Sequence, residues 1–150
     1  MIEPGKPHDL DALMKIELEA FQSDQITPRQ MESYLAFNLD RHFLLVSRSE
    51  GQPAHGYILV LIRRGSKVGR IHSYAVADSA RGMGIGALLI EAAADMARTG
   101  YGCHELRTEV RVDNPHALAR YEKSFFRRVG KRRSYYSDGC DSYSYKRRLK

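Results

Sequence analysis

The first forty residues show the spacing of apolar side chains that is typical of helices. Asp9 can cap a helix with these apolar residues on one face: Leu10, Leu13, Met14, Leu18 and Phe21. Thr27, Pro28 and Gln30 then form a capping box with proline at the first helical position. A short apolar stripe follows at Met31, Tyr34 and Leu35. The pattern therefore predicts two helices, separated by the polar loop 22–26.

From residue 42 the pattern becomes an alternation of strands and helices. Strands are expected at residues 42–47, 57–63, 68–76 and 105–112. Helices are expected at 87–97 and, opened by Pro115, at 115–124. Short β-prone pieces follow at 135–136 and 143–145. This order predicts an α/β protein, a single domain over residues 1–150, with a mixed sheet and helices on both faces.

Composition narrows the class of protein. The chain has no run of the ~20 apolar residues that would span a bilayer. No apolar run follows the first seven residues, so no signal peptide is expected. Two cysteines, Cys103 and Cys140, are too few for a disulfide framework and fit a reducing cytoplasm. Without Cys-x-x-Cys or paired histidines, no metal site is expected.

The net charge of +6 is unevenly placed along the chain. Residues 1–60 carry 5 Lys/Arg and 9 Asp/Glu, whereas residues 120–150 carry 11 and 3, a surplus of +8. Such a surplus can serve nucleic acid, an acidic partner or a phosphorylated cofactor, or it can be a solvated edge that keeps strands soluble. Because no aromatic-interleaved RNA motif accompanies it, no nucleic-acid partner is expected.

A glycine-rich stretch lies between a predicted strand and a predicted helix. It reads Arg81, Gly82, Met83, Gly84, Ile85 and Gly86. Backbone N–H groups in such a loop, at a helix N-terminus, can cradle a phosphate group. A P-loop would end in Gly-Lys-Ser/Thr, and a dinucleotide fingerprint would open the first strand–turn–helix unit, so neither fits. A plain tight turn remains the alternative.

The motifs of residues 70–145 resemble those of the GNAT acetyltransferases. Arg81-x-x-Gly84-x-Gly86 is similar to that family's pyrophosphate loop, and it follows a strand ending Tyr74-Ala75-Val76. Further matching residues are Thr108, Glu109, Val110, Arg111, Asn114, Ala117, Tyr121, Phe126, Tyr135, Tyr136, Gly139 and Asp141. Within the superfamily the set is most similar to ribosomal-protein N-terminal alanine acetyltransferases.

The resemblance implies acetyl-CoA as the donor and direct transfer in a ternary complex. It implies the GNAT fold, with a mostly antiparallel sheet whose strands 68–76 and 105–112 splay around the pantetheine arm. The backbone from 81 to 86 would bind the pyrophosphate, and the main chain at Ala75 and Val76 would pair with the pantetheine amides. Asn114 would bind the cofactor or cap the turn.

The resemblance also assigns catalytic roles. Glu109 is the candidate general base; the alternative is an exposed glutamate paired with Arg107 or Arg111. Tyr121, 12 residues later, is the candidate acid; the alternative is a core tyrosine, and both can hold. Phe125 stands where the family usually has glycine, which puts the turn after the helix in doubt.

The chemistry of amines bears on the acceptor. An α-amine of pKa roughly 7.7–8.0 is neutral in about a tenth of molecules at pH 7, and a lysine near 10.4 in fewer than about one in a thousand. A single base therefore suits a protein N-terminus, and the acidic residues Glu19, Asp24 and Glu32 would attract a cationic acceptor. The alternatives are a polyamine or antibiotic amine and, from another class, a non-catalytic nucleic-acid-binding module that uses the basic C-terminal segment. Neither a monomer nor a homodimer is favoured.

Overall fold

The computed structural model describes residues 1–36 and 41–150, which form one sheet with helices on both faces. The strands are β1 (Ile2–Pro4), β2 (His42–Ser47), β3 (Gly56–Ile62), β4 (Val68–Val76), β5 (Glu105–Arg111), β6 (Arg127–Arg132) and β7 (Ser142–Arg148). The helices are α1 (Leu10–Ala20), α2 (Pro28–Ala36), α3 (Ile85–Asp95) and α4 (Pro115–Lys123). The described residues contain no helix that is long and apolar enough to cross a membrane.

The sheet has seven strands in the order β1-β2-β3-β4-β5-β7-β6. Neighbouring strands are antiparallel except β4 and β5, which are parallel. The predicted fold class, a mixed and mostly antiparallel sheet, is therefore confirmed. Strands β2 and β3 are continuous apolar runs because helices cover both faces of the sheet there.

Two apolar cores lie on the two faces of the sheet. Helices α1 and α2 pack on one face, around Leu13, Met31 and Tyr57. Helix α3 packs on the other face together with Tyr121 of α4. We call these the α1/α2 face and the α3/α4 face. Because side chains alternate along a strand, the two candidate catalytic groups can be assigned to different faces of the sheet.

The first helix differs from its prediction in two details. The Asp9 carboxylate accepts hydrogen bonds from the Lys6 amide (2.9 Å) and the Arg48 guanidinium (2.8 Å) and does not cap the first turn of α1. Leu18 is 59% exposed because the buried stripe of α1 runs through Leu13, Ile16 and Glu17. The prediction was wrong at Leu18 because it assigned only apolar residues to the buried face, whereas Glu17 is buried there.

Other boundaries depart from the sequence pattern in physical ways. The capping box of α2 is confirmed, since the Thr27 hydroxyl accepts from the Gln30 amide (3.1 Å) and the Gln30 side chain accepts from the Thr27 amide (2.9 Å). Helix α3 begins at Ile85, earlier than expected, and continues into a π turn, Met96–Gly100. Strand β1 was not predicted, and residues 135–136 lie in the loop between β6 and β7 and not in a strand.

Candidate active site

The parallel pairing of β4 and β5 ends halfway along the strands. The register runs from Val68 opposite Glu105 to Ile71 opposite Thr108, and no further pair joins these strands in the described part of the chain. The Thr108 hydroxyl donates to the Ile71 carbonyl (3.2 Å) at the last pair. A gap therefore opens inside the sheet beside the predicted residues Ala75 and Val76, as the splayed strands require.

Ala75 and Val76 present different groups to this gap and to the cores. Their pairs on the β3 side are Tyr57 and Gly56. The Ala75 side chain is buried on the α1/α2 face, and Val76 packs against the α3/α4 core. Only the second edge of β4, along the gap, is left for a bound molecule. This arrangement fits backbone pairing with an amide-bearing ligand.

The glycine-rich loop closes one end of the gap. Gly84 caps α3 with φ of 76°, a left-handed conformation that favours glycine, and Gly82 shares it at 81°. Residues 81–84 are exposed, and the Arg81 amide donates to the Asp78 carbonyl (3.3 Å). The amides that follow it, up to the N-terminus of α3, are the donors that remain for an anion. The Arg81 guanidinium pairs with Asp78 at 3.1 Å. The backbone of the loop, and not a buried side chain, is the anion-binding feature here.

Gly86 has a packing role that the sequence did not reveal. A Cβ atom at this position would lie 2.1 Å from the Tyr74 hydroxyl oxygen. The Tyr74 ring in turn lies 5.9 Å, centroid to centroid, from that of Tyr121. The positive charges of Arg81 and Arg120 act on the Tyr74 phenol, although burial dominates and raises its pKa. Gly86 thus allows Tyr74 to link the loop to Tyr121, with two cations nearby.

Tyr121 is buried beneath the gap on the α3/α4 face. Its ring packs edge-on against Phe126 (5.1 Å) and stacks with Tyr145 (6.4 Å). Its hydroxyl lies beside the Thr108 side chain, at the residue where the pairing of β4 and β5 ends. Burial raises the pKa of Tyr121 well above its ordinary value, so the phenol keeps its proton at neutral pH. Core packing and a hydroxyl at the gap are both present, as the sequence allowed.

Glu109 lies on the opposite face of β5, with a side chain that is 6% exposed. The hydroxyls of Ser144 (2.5 Å) and Ser142 (3.3 Å) donate to its Oε2 atom. Arg70 (3.7 Å) and Arg132 (3.6 Å) flank its Oε1 atom. These partners hold the carboxylate in one position at the side of β5.

The sequence alternative for Glu109 is wrong in its partners. Arg107 pairs with Glu105, and Arg111 pairs with Asp113 and Asp138. The observed partners of Glu109 come from β4, β6 and β7, which are distant in sequence but adjacent in the sheet. Because these strands meet only in the fold, no local pattern could have identified them.

The loop 22–26 and the turn 135–141 meet on the α1/α2 face. Asp24, in loop 22–26, accepts from the Ser137 amide (3.1 Å) and hydroxyl (3.0 Å). The Tyr136 hydroxyl donates to the Glu109 carbonyl (3.4 Å), and the Arg111 guanidinium lies 4.9 Å from the Tyr136 ring centroid. The two loops therefore form one wall beside Glu109.

A buried carboxyl anchors this wall and was missed in the sequence. Glu17 accepts hydrogen bonds from the Ile26 amide (2.8 Å) and the Tyr57 hydroxyl, which also bonds the Ser73 hydroxyl (2.7 Å) of β4. Burial raises the pKa of Glu17 above 4.5. Its position four residues after Leu13, on the buried stripe of α1, was the available signal.

The two residues that flank α4, Asn114 and Phe125, have defined local roles. The Asn114 side-chain oxygen accepts from the Ala117 amide (3.1 Å) and so caps α4. Cofactor binding by Asn114 stays a prediction. Phe125 has φ of 69°, so the turn after α4 keeps the left-handed conformation without glycine.

Comparisons with known proteins agree with this geometry. The family model described as "Acetyltransferase (GNAT) family" matches residues 10–125. An N-alpha-acetyltransferase of Saccharolobus solfataricus is 40% identical over 83 residues, which are 55% of this chain and 47% of that protein. An uncharacterized N-acetyltransferase of Methanocaldococcus jannaschii is 33% identical over 135 residues, which are 89% of this chain and 82% of that protein.

A solved structure is similar over nearly the whole chain. The ribosomal-protein-alanine N-acetyltransferase from Brucella melitensis superposes with a TM-score of 0.84 at 22% identity, covering 99% of each chain. At that identity the likeness shows a shared fold. The chain spans about half the length of the curated N-alpha-acetyltransferases that it matches.

Proposed function

The chain belongs to the GNAT acetyltransferase family, and on this premise we propose that it transfers the acetyl group of acetyl-CoA to the α-amine of a protein N-terminus. The resemblance inferred from the motifs is thereby confirmed at the level of the family. The observation that carries the proposal is the placement of Glu109 and Tyr121 on opposite faces of β5, beside the gap. An acceptor and a donor can therefore reach the gap from different sides.

The described residues fit acetyl-CoA, which supplies an acetyl thioester to the reaction. The loop 81–86, which is exposed from 81 to 84, offers backbone N–H groups to a pyrophosphate, and the free edge of β4 at Ala75 and Val76 offers pairing groups to pantetheine amides. Arg120, close enough to influence the Tyr74 phenol, adds positive charge near the loop. Asn114, the N-cap of α4, is a further proposed contact of the cofactor.

Glu109 acts as the general base in this proposal. Its carboxylate removes a proton from the acceptor amine, directly or through one water. The two serine hydroxyls and the two guanidinium groups hold the carboxylate in one orientation before the acceptor binds.

Tyr121 acts as the general acid. The raised pKa of its phenol keeps the proton available at neutral pH, and the hydroxyl lies where the pairing of β4 and β5 ends. It would deliver that proton to the leaving thiolate. Thr108 lies beside the hydroxyl and donates its own proton to the Ile71 carbonyl.

An α-amine is the acceptor that this single carboxylate suits. Such an amine is neutral in about a tenth of molecules at pH 7, far more than a lysine side chain. Relatives named N-alpha-acetyltransferase support the same acceptor. We further propose a cytoplasmic location, which the two free thiols, Cys103 and Cys140, support.

The test is acetyl transfer measured with three acceptors: a peptide with a free N-terminus, the same peptide with a blocked N-terminus and an internal lysine, and spermidine. The free N-terminus should be preferred. Glu109→Gln and Tyr121→Phe should each lower kcat/KM by about 10²–10⁴-fold. Glu105→Gln is the matched control, since Glu105 lies on the same strand and face but at its far end.

The outcomes separate the steps of the proposal. Activity of Glu109→Gln within threefold of the wild type would contradict the base assignment. A preference for spermidine would replace the protein N-terminus by a small amine. Calorimetry with acetyl-CoA tests the donor site: Gly84→Glu, which places a negative charge in the loop, should abolish binding, and the wild type should bind.

A further inference from the structure

The end of the sheet opposite the gap is strongly basic. At this end β3 turns into β4, β5 begins and β7 ends. We define the basal face by the turn 63–67, the side chains of Arg98 and Arg127, and residues 146–150. It carries two concave regions, a pocket of about 260 Å³ at the turn and a groove of about 840 Å³ near the C-terminus.

The pocket and the groove are neighbours. The Lys67 carbonyl accepts from the His104 amide (2.7 Å), and the His104 carbonyl accepts from the Leu149 amide (2.8 Å). Arg98 lies within the π turn Met96–Gly100 and lines the groove, and Tyr101, which directly follows that turn, lines the pocket. The fold therefore joins cations of the turn to the basic C-terminal segment, which the linear sequence keeps apart.

Most of these cations have no carboxylate partner within residues 1–36 and 41–150. Lys146 pairs with Glu105 and Arg147 with Glu91. The cations that form no such ion pair are Arg63, Arg64, Lys67, Arg98, Arg127, Arg148 and Lys150. Asp95 is the acidic residue that lines the groove. Like charges gathered in this way repel one another unless an anion binds among them.

An exposed aromatic residue lies in the groove. Phe125 is 76% exposed, and the Arg147 guanidinium lies 5.6 Å from its ring centroid. Its φ of 69° is a conformation that a phenylalanine adopts only at a cost of about 1 kcal/mol or more. A strained and exposed ring among cations offers a flat surface on which a nucleic-acid base can stack.

The basal face is separate from the proposed donor site. The glycine-rich loop precedes Ile85, at the N-terminus of α3, and the groove lies at Asp95, the last residue of that helix. At 1.5 Å per residue the two are about 15 Å apart along the axis. A donor phosphate bound at the loop therefore does not account for these cations.

We propose that the basal face binds single-stranded nucleic acid, with its phosphates on the unpaired arginines and lysines and a base on Phe125. The two basic regions suit an extended polyanion. Arginine, which predominates here, binds phosphate oxygens in a bidentate manner. An acidic peptide would have no use for the exposed ring, and a lipid surface would require more apolar side chains than Phe125 alone.

The test is fluorescence anisotropy with a labelled twelve-nucleotide oligo-uridine and the oligo-thymidine of the same length. We expect a Kd of roughly 1–100 μM near physiological salt. For each tenfold rise in salt concentration, the logarithm of the binding constant should fall by about 0.7 per phosphate contacted. Arg98→Glu/Arg148→Glu should weaken binding at least about tenfold. Phe125→Asn, which keeps a residue tolerant of the left-handed conformation, should weaken it by about fivefold or more.

Lys15→Glu/Arg29→Glu is the matched control, because it makes the same change of net charge at exposed cations of α1 and α2. It should alter affinity by less than about threefold. Acetyl transfer by the groove variants should stay within twofold of wild type and so report an intact fold. An equal loss in the control pair would overturn the proposal. The proposal would also be overturned if Phe125→Asn had no effect on binding, if polyglutamate of equal charge displaced the oligonucleotide, or if neither oligonucleotide bound.

Discussion

The contact between Gly86 and Tyr74 gives a prediction whose sign depends on a second residue. Gly86 is the second residue of α3, where alanine would ordinarily favour the helix by about 1 kcal/mol. The added Cβ would lie 2.1 Å from the Tyr74 hydroxyl oxygen and 3.3 Å from its Cζ atom. Ordinary contact begins at 3.4 Å, so the hydroxyl would have to withdraw by about 1.3 Å, the difference between the two distances.

Tyr74 cannot withdraw without disturbing its neighbour. Its ring contacts that of Tyr121 at 5.9 Å, and Tyr121 is itself enclosed by Phe126 and Tyr145. Overpacking of this kind destabilises a protein by about 1–3 kcal/mol. After the gain in helix propensity, Gly86→Ala alone should lower the free energy of unfolding by about 1 kcal/mol, within a range of about 0–2.

The background variant Tyr74→Phe removes the clashing oxygen. The nearest atom to the new Cβ is then Cζ, at 3.3 Å. Gly86→Ala should therefore be neutral or stabilising by up to about 1 kcal/mol in that background. Chemical unfolding of the four proteins of this cycle, followed by circular dichroism, should give a coupling energy of about 1–3 kcal/mol. A coupling below about 0.5 kcal/mol would refute the steric reasoning.

Three further substitutions test separate parts of the structure. Glu17→Gln should become more stable relative to the wild type as pH rises. Because the pKa of Glu17 is higher in the folded protein than in the unfolded chain, its contribution to stability is complete below pH 4.5 and is lost as pH rises through the folded-state pKa. Thermal melts between pH 4 and 8 would show it, and parallel curves for the two proteins would contradict it. Asn114→Ala should lower the free energy of unfolding by about 0.5–2 kcal/mol through loss of the α4 cap, measured in urea; no change would mean that the cap is unimportant. Phe125→Asn should raise Tm by about 2 °C by relieving the left-handed strain, and a lower Tm would show that the ring contributes more than the strain removes.

Local patterns predicted the elements that depend on neighbouring residues. The capping box at Thr27 fixed the start of α2, and the alternation of β5 placed Glu109 on the face opposite Leu106 and Val110. In both cases the physical cause lies within a few residues. The family resemblance supplied the candidate roles of Glu109 and Tyr121, which stay predictions until activity is measured.

The features that escaped prediction depend on contacts between distant segments. Glu17 meets the Tyr57 hydroxyl 40 residues further along the chain, and Asp24 meets Ser137 at a separation of 113. The basal face likewise joins the turn 63–67 to the C-terminal segment. The periodicity of one segment carries no information about which distant residues will contact it. These contacts follow only from the order of strands in the sheet.

The interruption between β4 and β5 divides the sheet into a four-stranded and a three-stranded part, joined by only four residue pairs. A ligand bound in the interruption contacts both parts and holds them together for as long as it is bound. Its binding energy then becomes folding energy: at a concentration one hundred times Kd it adds about 2.7 kcal/mol to the native state. For a chain of this length that corresponds to a rise in Tm of roughly 5–10 °C. In each catalytic cycle the sheet would thus become more stable when the donor binds and less stable when the deacetylated donor leaves.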